Sequence, residues 1–191
     1  MIDRVEIIGG PEQAQIVVVD YDPAWLQRFA VERLRIVDAL GHAARRVDHV
    51  GSTSVPGLAA KPVVDIDVSV DDVNLESSYL PALVDAGYVL RVREPGHRQL
   101  RTPGRDVNVH VCTIGSDWER DHLLFRDWLR RDAADRETYG RFKKDLATRD
   151  WESVGAYSAA KSDLIAEILG RARDWAHSVH WAVPADHADG R

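Results

Sequence analysis

The chain has 191 residues, of which 45% are hydrophobic and 29% charged, a composition that supports one substantial globular core and is small for two. Its net charge of -6 argues against a broad electrostatic grip on duplex nucleic acid or on an acidic membrane, while leaving room for a local basic pocket. Cys112 is the only cysteine, which excludes an intramolecular disulfide and a multi-cysteine zinc site. The sequence begins without an apolar leader and contains no long apolar run, so the expectation is one unanchored cytoplasmic domain over 1–191, with its core at about 15–175.

Residues 1–14 read as mixed and peripheral, followed by a short β-branched run at 15–19. Asp22-Pro23 reads as a helix start, and Trp25, Phe29, Leu34, Val37 and Leu40 follow at helical spacing until Gly41 closes the helix. Strands are expected at 45–50 and 63–70, a helix at 75–86, and strands at 88–92, 97–102 and 107–112. Glu94-Pro95-Gly96 and Pro103-Gly104 are turn signals between the later strands. Beyond Gly115 the pattern turns helical, with helices expected at 117–131, 133–149 and 153–179 and a polar, frayed tail at 184–191. This is an α/β (α+β) arrangement, a mixed sheet with flanking helices and a helical C-terminal half.

The densest chemistry lies between His49 and Val68. Gly51-Ser52 makes a turn, and twelve residues separate Ser52 from Asp65, the first acid of an Asp-x-Asp strand. Strand alternation puts Asp65 and Asp67 on one face and Val64, Ile66 and Val68 on the other. Two same-side carboxylates repel unless a cation lies between them or the site is well solvated. A Gly-Ser turn offers amides and a hydroxyl to a phosphate. Together they point to phosphoryl or nucleotidyl chemistry, with Asp65 and Asp67 on Mg2+ (or Mn2+) and Gly51 and Ser52 on the phosphates.

Lys61 precedes that strand as a further cation. In the strand at 107–112 the polar face carries Asn108 and His110, with Asp106 at its edge. His110 suits a metal ligand, a base near neutral pH or a phosphate contact, and equally a satisfied structural histidine. Arg91, Arg93, His97, Arg98, Arg101 and Arg105 form a basic cluster, from which Arg98 and Arg101 are expected to reach phosphate. The remaining histidines, His122 among them, lack a zinc-site spacing, and the six tryptophans read as core or groove lining.

The segment Val47-Asp48-His49-Val50-Gly51-Ser52-Thr53-Ser54-Val55-Pro56-Gly57-Leu58-Ala59-Ala60-Lys61-Pro62-Val63-Val64-Asp65-Ile66-Asp67-Val68 resembles the signature of the GrpB (UPF0157) family, of the nucleotidyltransferase superfamily. Tyr21-Asp22-Pro23-Ala24-Trp25, Asn108-Val109-His110-Val111, Leu124-Phe125-Arg126-Asp127-Trp128-Leu129-Arg130 and Tyr157-Ser158-Ala159-Ala160-Lys161 extend the resemblance over roughly residues 15 to 175. It implies a polymerase-β-like nucleotidyltransferase fold, a nucleoside triphosphate donor and divalent metal at Asp65 and Asp67. It also implies helical cations that close on the triphosphate, for which Arg126, Lys143 and Lys161 are the candidates. A related domain is fused to dephospho-coenzyme A kinase in some bacteria, which places the family near nucleotide cofactors.

Nucleotidyltransferases usually carry a third acidic residue on a later strand, where this chain has Asn108 and His110. The expected function is Mg2+-dependent transfer of a nucleoside monophosphate to a small acceptor. Asp65, Asp67 and His110 form the expected catalytic set. The alternative is a non-catalytic nucleotide- or coenzyme-binding module. No broad nucleic-acid or membrane partner is expected.

Overall fold

The computed structural model describes residues 4–13 and 15–184. Six strands form one mixed sheet in the order β1-β4-β5-β6-β3-β2. They are β1 (Glu6–Ile7), β2 (Arg46–Val50), β3 (Val64–Val70), β4 (Val89–Glu94), β5 (His97–Arg101) and β6 (Val107–Thr113). Only β3 and β6 run parallel, with Asp65 opposite Asn108 and Asp67 opposite His110. The helices are α1 (Ala24–Leu40), α2 (Leu80–Asp85), α3 (Asp117–Arg131), α4 (Ala133–Leu146), α5 (Val154–Ala159) and α6 (Ser162–Val179).

Alternation sorts the central strands into two faces. Val64, Ile66, Val68 and Val70 of β3 join Val107, Val109 and Val111 of β6 in the main core, which Trp25, Ile36 and Leu40 of α1 and Leu83 of α2 cover. The opposite face carries the polar residues and meets α3. Two smaller clusters tie the helical half to the Gly-Ser loop. Val55 and Leu58 pack with Leu129, Tyr139 and Ile168, and Ile16 packs with Leu146 and Tyr157. Gly41 ends α1 at φ 51°, as the sequence predicts, while the start falls one residue later than expected, with Pro23 at the N-cap and Asp22 accepting the Ala24 amide at 2.8 Å. Ser116 and Asp132 cap α3 and α4 by accepting the Glu119 and Asp135 amides.

Three expected helices are shorter or broken. The one expected over 75–86 starts only at Leu80, with Pro81 in its first turn, after a separate 3-10 turn at Glu76–Ser78. Tyr79, at φ -141°, separates the two, and its buried hydroxyl donates to the Val73 carbonyl at 2.6 Å. The helix expected to reach 149 stops at Leu146. The one expected over 153–179 divides into α5 and α6 at Ala160-Lys161, where the Lys161 ammonium lies 4.7 Å from the Tyr157 ring. The β-branched run at 15–19 makes a bridge from Val19 to Ala60, and β1 adds an edge strand inside the segment expected to be peripheral. Of the tail expected at 184–191, residues 185–191 lie outside the described residues. No helix among the described residues is long and apolar enough to cross a membrane.

Ile66 has no exposed surface and sits at the centre of the apolar face. Ile66→Ala is expected to cost roughly 2–5 kcal/mol, measured as a lower urea midpoint with an unchanged slope.

Candidate functional site

The polar face of β3 and β6 gathers carboxylates and imidazoles. Asp65 accepts a hydrogen bond from Asn108 Nδ2 at 2.9 Å, and its Oδ1 lies 3.5 Å from His110 Nε2. Burial works to raise the Asp65 carboxyl, but the adjoining His110 and Asn108 and the Lys61 charge outweigh it and bring it to about 2. Asp67 is only 2% exposed, and both its oxygens lie against His122 Nδ1, at 2.9 and 3.1 Å. Burial pushes the His122 imidazole down; the Asp67 carboxylate prevails and holds it above its ordinary value.

The Gly-Ser turn lies directly against Asp65. Gly51 adopts φ 64° and ψ -170°, a region that is essentially glycine-only. A Cβ there would sit 2.5 Å from Asp65 Oδ2, so this glycine is required twice, by its backbone angles and by the carboxylate behind it. Ser54 closes the turn by donating to the Gly51 carbonyl at 2.7 Å, and His49 braces it through Thr53 Oγ1 at 3.0 Å. Burial drives the His49 imidazole down to about 4, consistent with its stacking on Phe29 at 4.8 Å.

The C-terminal helices bring lysines to the same turn. Lys143 of α4 is 2% exposed, donates to Ser52 Oγ at 2.7 Å and sits 4.5 Å from the Tyr139 ring. Lys161 and Lys61 lie 4.7 and 5.5 Å from the Tyr157 ring. Burial, reinforced by the Lys161 charge, holds the Lys143 ammonium well below the usual lysine range. Burial and the Lys61 charge bring Lys161 to about 8. The only lysine ion pair among the described residues is the exposed Lys144–Asp20 contact, so Lys61, Lys143 and Lys161 are held by a hydroxyl and two aromatic faces.

The structure therefore brings Gly51, Ser52, Lys61, Asp65, Asp67, His110, Lys143 and Lys161 together around one turn and one strand. The three predicted arginines are used elsewhere. Arg98 projects to the opposite face of the sheet, beside Val111 in register, where it donates to Glu76 at 2.6 Å and to the Glu94 and His97 carbonyls. Alternation along β5 puts its neighbours His97 and Gln99 on the polar face instead. Arg101 is on the polar face, opposite Asn108, but pairs with Glu12. Arg126 donates to Asp127 at 2.8 Å and to Asp48 and the His49 carbonyl at 3.3 Å, bracing β2 against α3. Asp106 turns toward α1 and pairs with Arg28 at 2.9 Å, so the edge acid of β6 does not join Asp65 and Asp67.

Sequence reasoning missed His122, His97, Glu94 and Trp118. His97 is stacked on Trp118 at 3.8 Å and hydrogen-bonded to Glu94 and His110. Glu94 and His97 are three residues apart across the β4–β5 turn and Trp118 and His122 four apart on α3, but no spacing joins the two pairs to each other or to His110 and Asp67. The one available signal was the alternation of β5 and β6, which aligns His97 and His110 on one face.

Gly51→Ala is expected to destabilise the fold by on the order of 1–3 kcal/mol, read from its thermal unfolding. Lys161 carries fewer protons when folded than when unfolded between pH 8 and its ordinary lysine value, so its contribution to stability rises with pH through that window. Lys161→Met is expected to remove this rise, seen when denaturant unfolding of variant and wild type is compared at pH 8 and pH 9.5.

Comparison with known proteins agrees with this architecture. A UPF0157 protein of Streptomyces coelicolor is 55% identical over 90% of this chain and 91% of its own length. A second, from Halalkalibacterium halodurans, is 46% identical over 85% of each. A protein of Mycolicibacterium paratuberculosis named dephospho-CoA kinase is 32% identical over 88% of this chain and 49% of its own length. The crystal structure of the conserved protein GrpB from Enterococcus faecalis superposes with a TM-score of 0.74 at 33% identity, covering 83% of this chain and 99% of that one. The model of the GrpB protein family matches residues 15–171, and the chain belongs to the GrpB family.

Proposed function

We propose that this protein binds a nucleoside triphosphate at the Gly51–Ser52 turn and, with Mg2+ or Mn2+ at Asp65 and Asp67, transfers the nucleoside monophosphate to a small acceptor. The observation that carries the reading is buried Lys143 on Ser52 Oγ, with half-buried Lys61 and Lys161 close by and none of the three paired with a carboxylate among the described residues. A buried ammonium without a counterion is costly, and a polyphosphate tail supplies the charge that Lys61, Lys143 and Lys161 lack. In the reaction the acceptor oxygen bonds to the α-phosphorus, the bond to pyrophosphate breaks, and the acceptor's proton passes to a base, for which His110 is the candidate. The polymerase-β-like arrangement implied by the family resemblance is part of this reading.

Among the described residues no three carboxylate, imidazole or thiolate groups form a ready-made metal cage. A cation of the Mg2+ type needs none, because it keeps several waters and takes one or two carboxylates together with substrate phosphates. Asp65 and Asp67 fit that role as hard oxygen donors on one face of β3. Such an ion would neutralise the phosphates and lower the pKa of an attacking hydroxyl.

A second reading, a non-catalytic module for a nucleotide or coenzyme, is favoured by Asn108 standing opposite Asp65 and by the burial of Asp67 on His122. The relatives named dephospho-CoA kinase support a nucleotide-type ligand under either reading.

Calorimetric titration with nucleoside triphosphates, with and without Mg2+, tests both. Binding is expected to require Mg2+ for full strength, to lose that dependence in Asp65→Asn and Asp67→Asn, and to weaken at least about tenfold, ~1.4 kcal/mol, in Lys143→Ala. No metal-dependent binding to any triphosphate would sink the first reading, and no binding with or without Mg2+ would sink both. Pyrophosphate release across a panel of hydroxyl and amino acceptors then separates the enzyme from the module.

A further inference from the structure

A chain of hydrogen bonds runs along the polar face from β4 to β6. Glu94 Oε1 lies 2.6 Å from His97 Nδ1, and His97 Nε2 lies 2.9 Å from His110 Nδ1. His110 Nε2 in turn faces Asp65 Oδ1 at 3.5 Å. His97 is 3% exposed and held flat against Trp118 at 3.8 Å, with both ring nitrogens engaged.

The donor directions in this chain follow from elementary hydrogen-bond chemistry. An ionised carboxylate only accepts, so His97 Nδ1 carries the proton given to Glu94. A neutral imidazole has one N–H, which leaves His97 Nε2 as an acceptor. Its partner, His110 Nδ1, must then donate. If His97 were an imidazolium, both its nitrogens would donate and the order at His110 would reverse. Burial, helped by the neighbouring His110, outweighs Glu94 and Asp67 and brings the His97 imidazole down to about 4, so it stays neutral at physiological pH.

The competing influence on His110 is Asp65, whose carboxylate would draw the proton to Nε2. Distance decides against it. The 3.5 Å separation is beyond good N–H···O geometry, and Asp65 Oδ1 already accepts from Asn108 at 2.9 Å. The contacts on the other side, at 2.6 and 2.9 Å, are short, and the first involves a charged acceptor.

We propose that Glu94 and His97 are positioning residues that hold neutral His110 in the tautomer protonated on Nδ1, with the Nε2 lone pair turned toward Asp65 and the site. The inference rests on the nucleotidyl-transfer reading for what that lone pair receives, the proton of the acceptor's hydroxyl. It supplies what a third carboxylate would have offered in place of Asn108, a proton acceptor aimed at the reacting group. A protonated His110 carries N–H on both nitrogens and pairs with Asp65, so the tautomer concerns the neutral ring alone.

The test is a long-range proton–nitrogen correlation spectrum of the full chain labelled with 15N-histidine, recorded where His110 is neutral. His110 is expected to show a protonated Nδ1 and an unprotonated Nε2. His97→Phe keeps a ring on Trp118 but offers no acceptor, and His110 is expected to shift to the Nε2-protonated form. His97→Gln places an amide oxygen near the lost Nε2 and is expected to restore the Nδ1-protonated form. A proton on Nε2 in the wild type overturns the inference without any variant, and so does an unchanged His110 pattern in a folded His97→Phe protein. Neither result alters the triphosphate titrations, and their failure leaves this spectrum unchanged, so the two ideas fall separately.

Discussion

The parallel pairing of β3 with β6 is the contact on which the core and the site both depend. Each strand alternates apolar and polar residues, and the pairing holds the two patterns in phase, with Ile66 beside Val109 and Asp67 beside His110. One face becomes a layer of valine and isoleucine under α1 and α2. The other becomes a row of carboxylates, an amide and imidazoles under α3. A slip of one residue would send carboxylates into the core and valines into the site, so the apolar face enforces the register that the polar face needs.

Charge on that polar face is handled asymmetrically. Each aspartate has donors of its own, His122 for Asp67 and Asn108 for Asp65. The arginines nearby are likewise consumed, Arg126 by Asp48 and Asp127 and Arg101 by Glu12. Lys61, Lys143 and Lys161 differ, being held by a serine hydroxyl and tyrosine rings and by no carboxylate. Lysines left without carboxylate partners leave room for an anion beside the turn, in keeping with the proposed polyphosphate. The Gly51 turn sits between the two sets, close enough to Asp65 that no side chain fits.

The roles of the basic residues show where reading residues alone reaches its end. Arg98 and Arg101 are three apart on one strand and look equivalent in the sequence, yet alternation puts them on opposite faces. Arg126 belongs to a motif, but its guanidinium is spent on joining β2 to α3. Lys143 and Lys161 differ from these only in what the fold places beside them. A long side chain advertises charge in the sequence, while its partner is settled by packing between distant elements.

What the sequence by itself determined was the local pattern: strand alternation around Asp65 and Asp67, the glycine turn before it, the start of α1 at Asp22-Pro23 and the limits of α3. These depend on neighbours within a few residues, where backbone preference and hydrophobic period suffice. The tertiary structure decided which polar groups meet. His122 reaches Asp67 across 55 positions, Lys143 reaches Ser52 across 91, and His97 meets His110 because β5 and β6 are adjacent. Such contacts carry no short-range signal, because they depend on how elements that are separate in the chain share a buried surface.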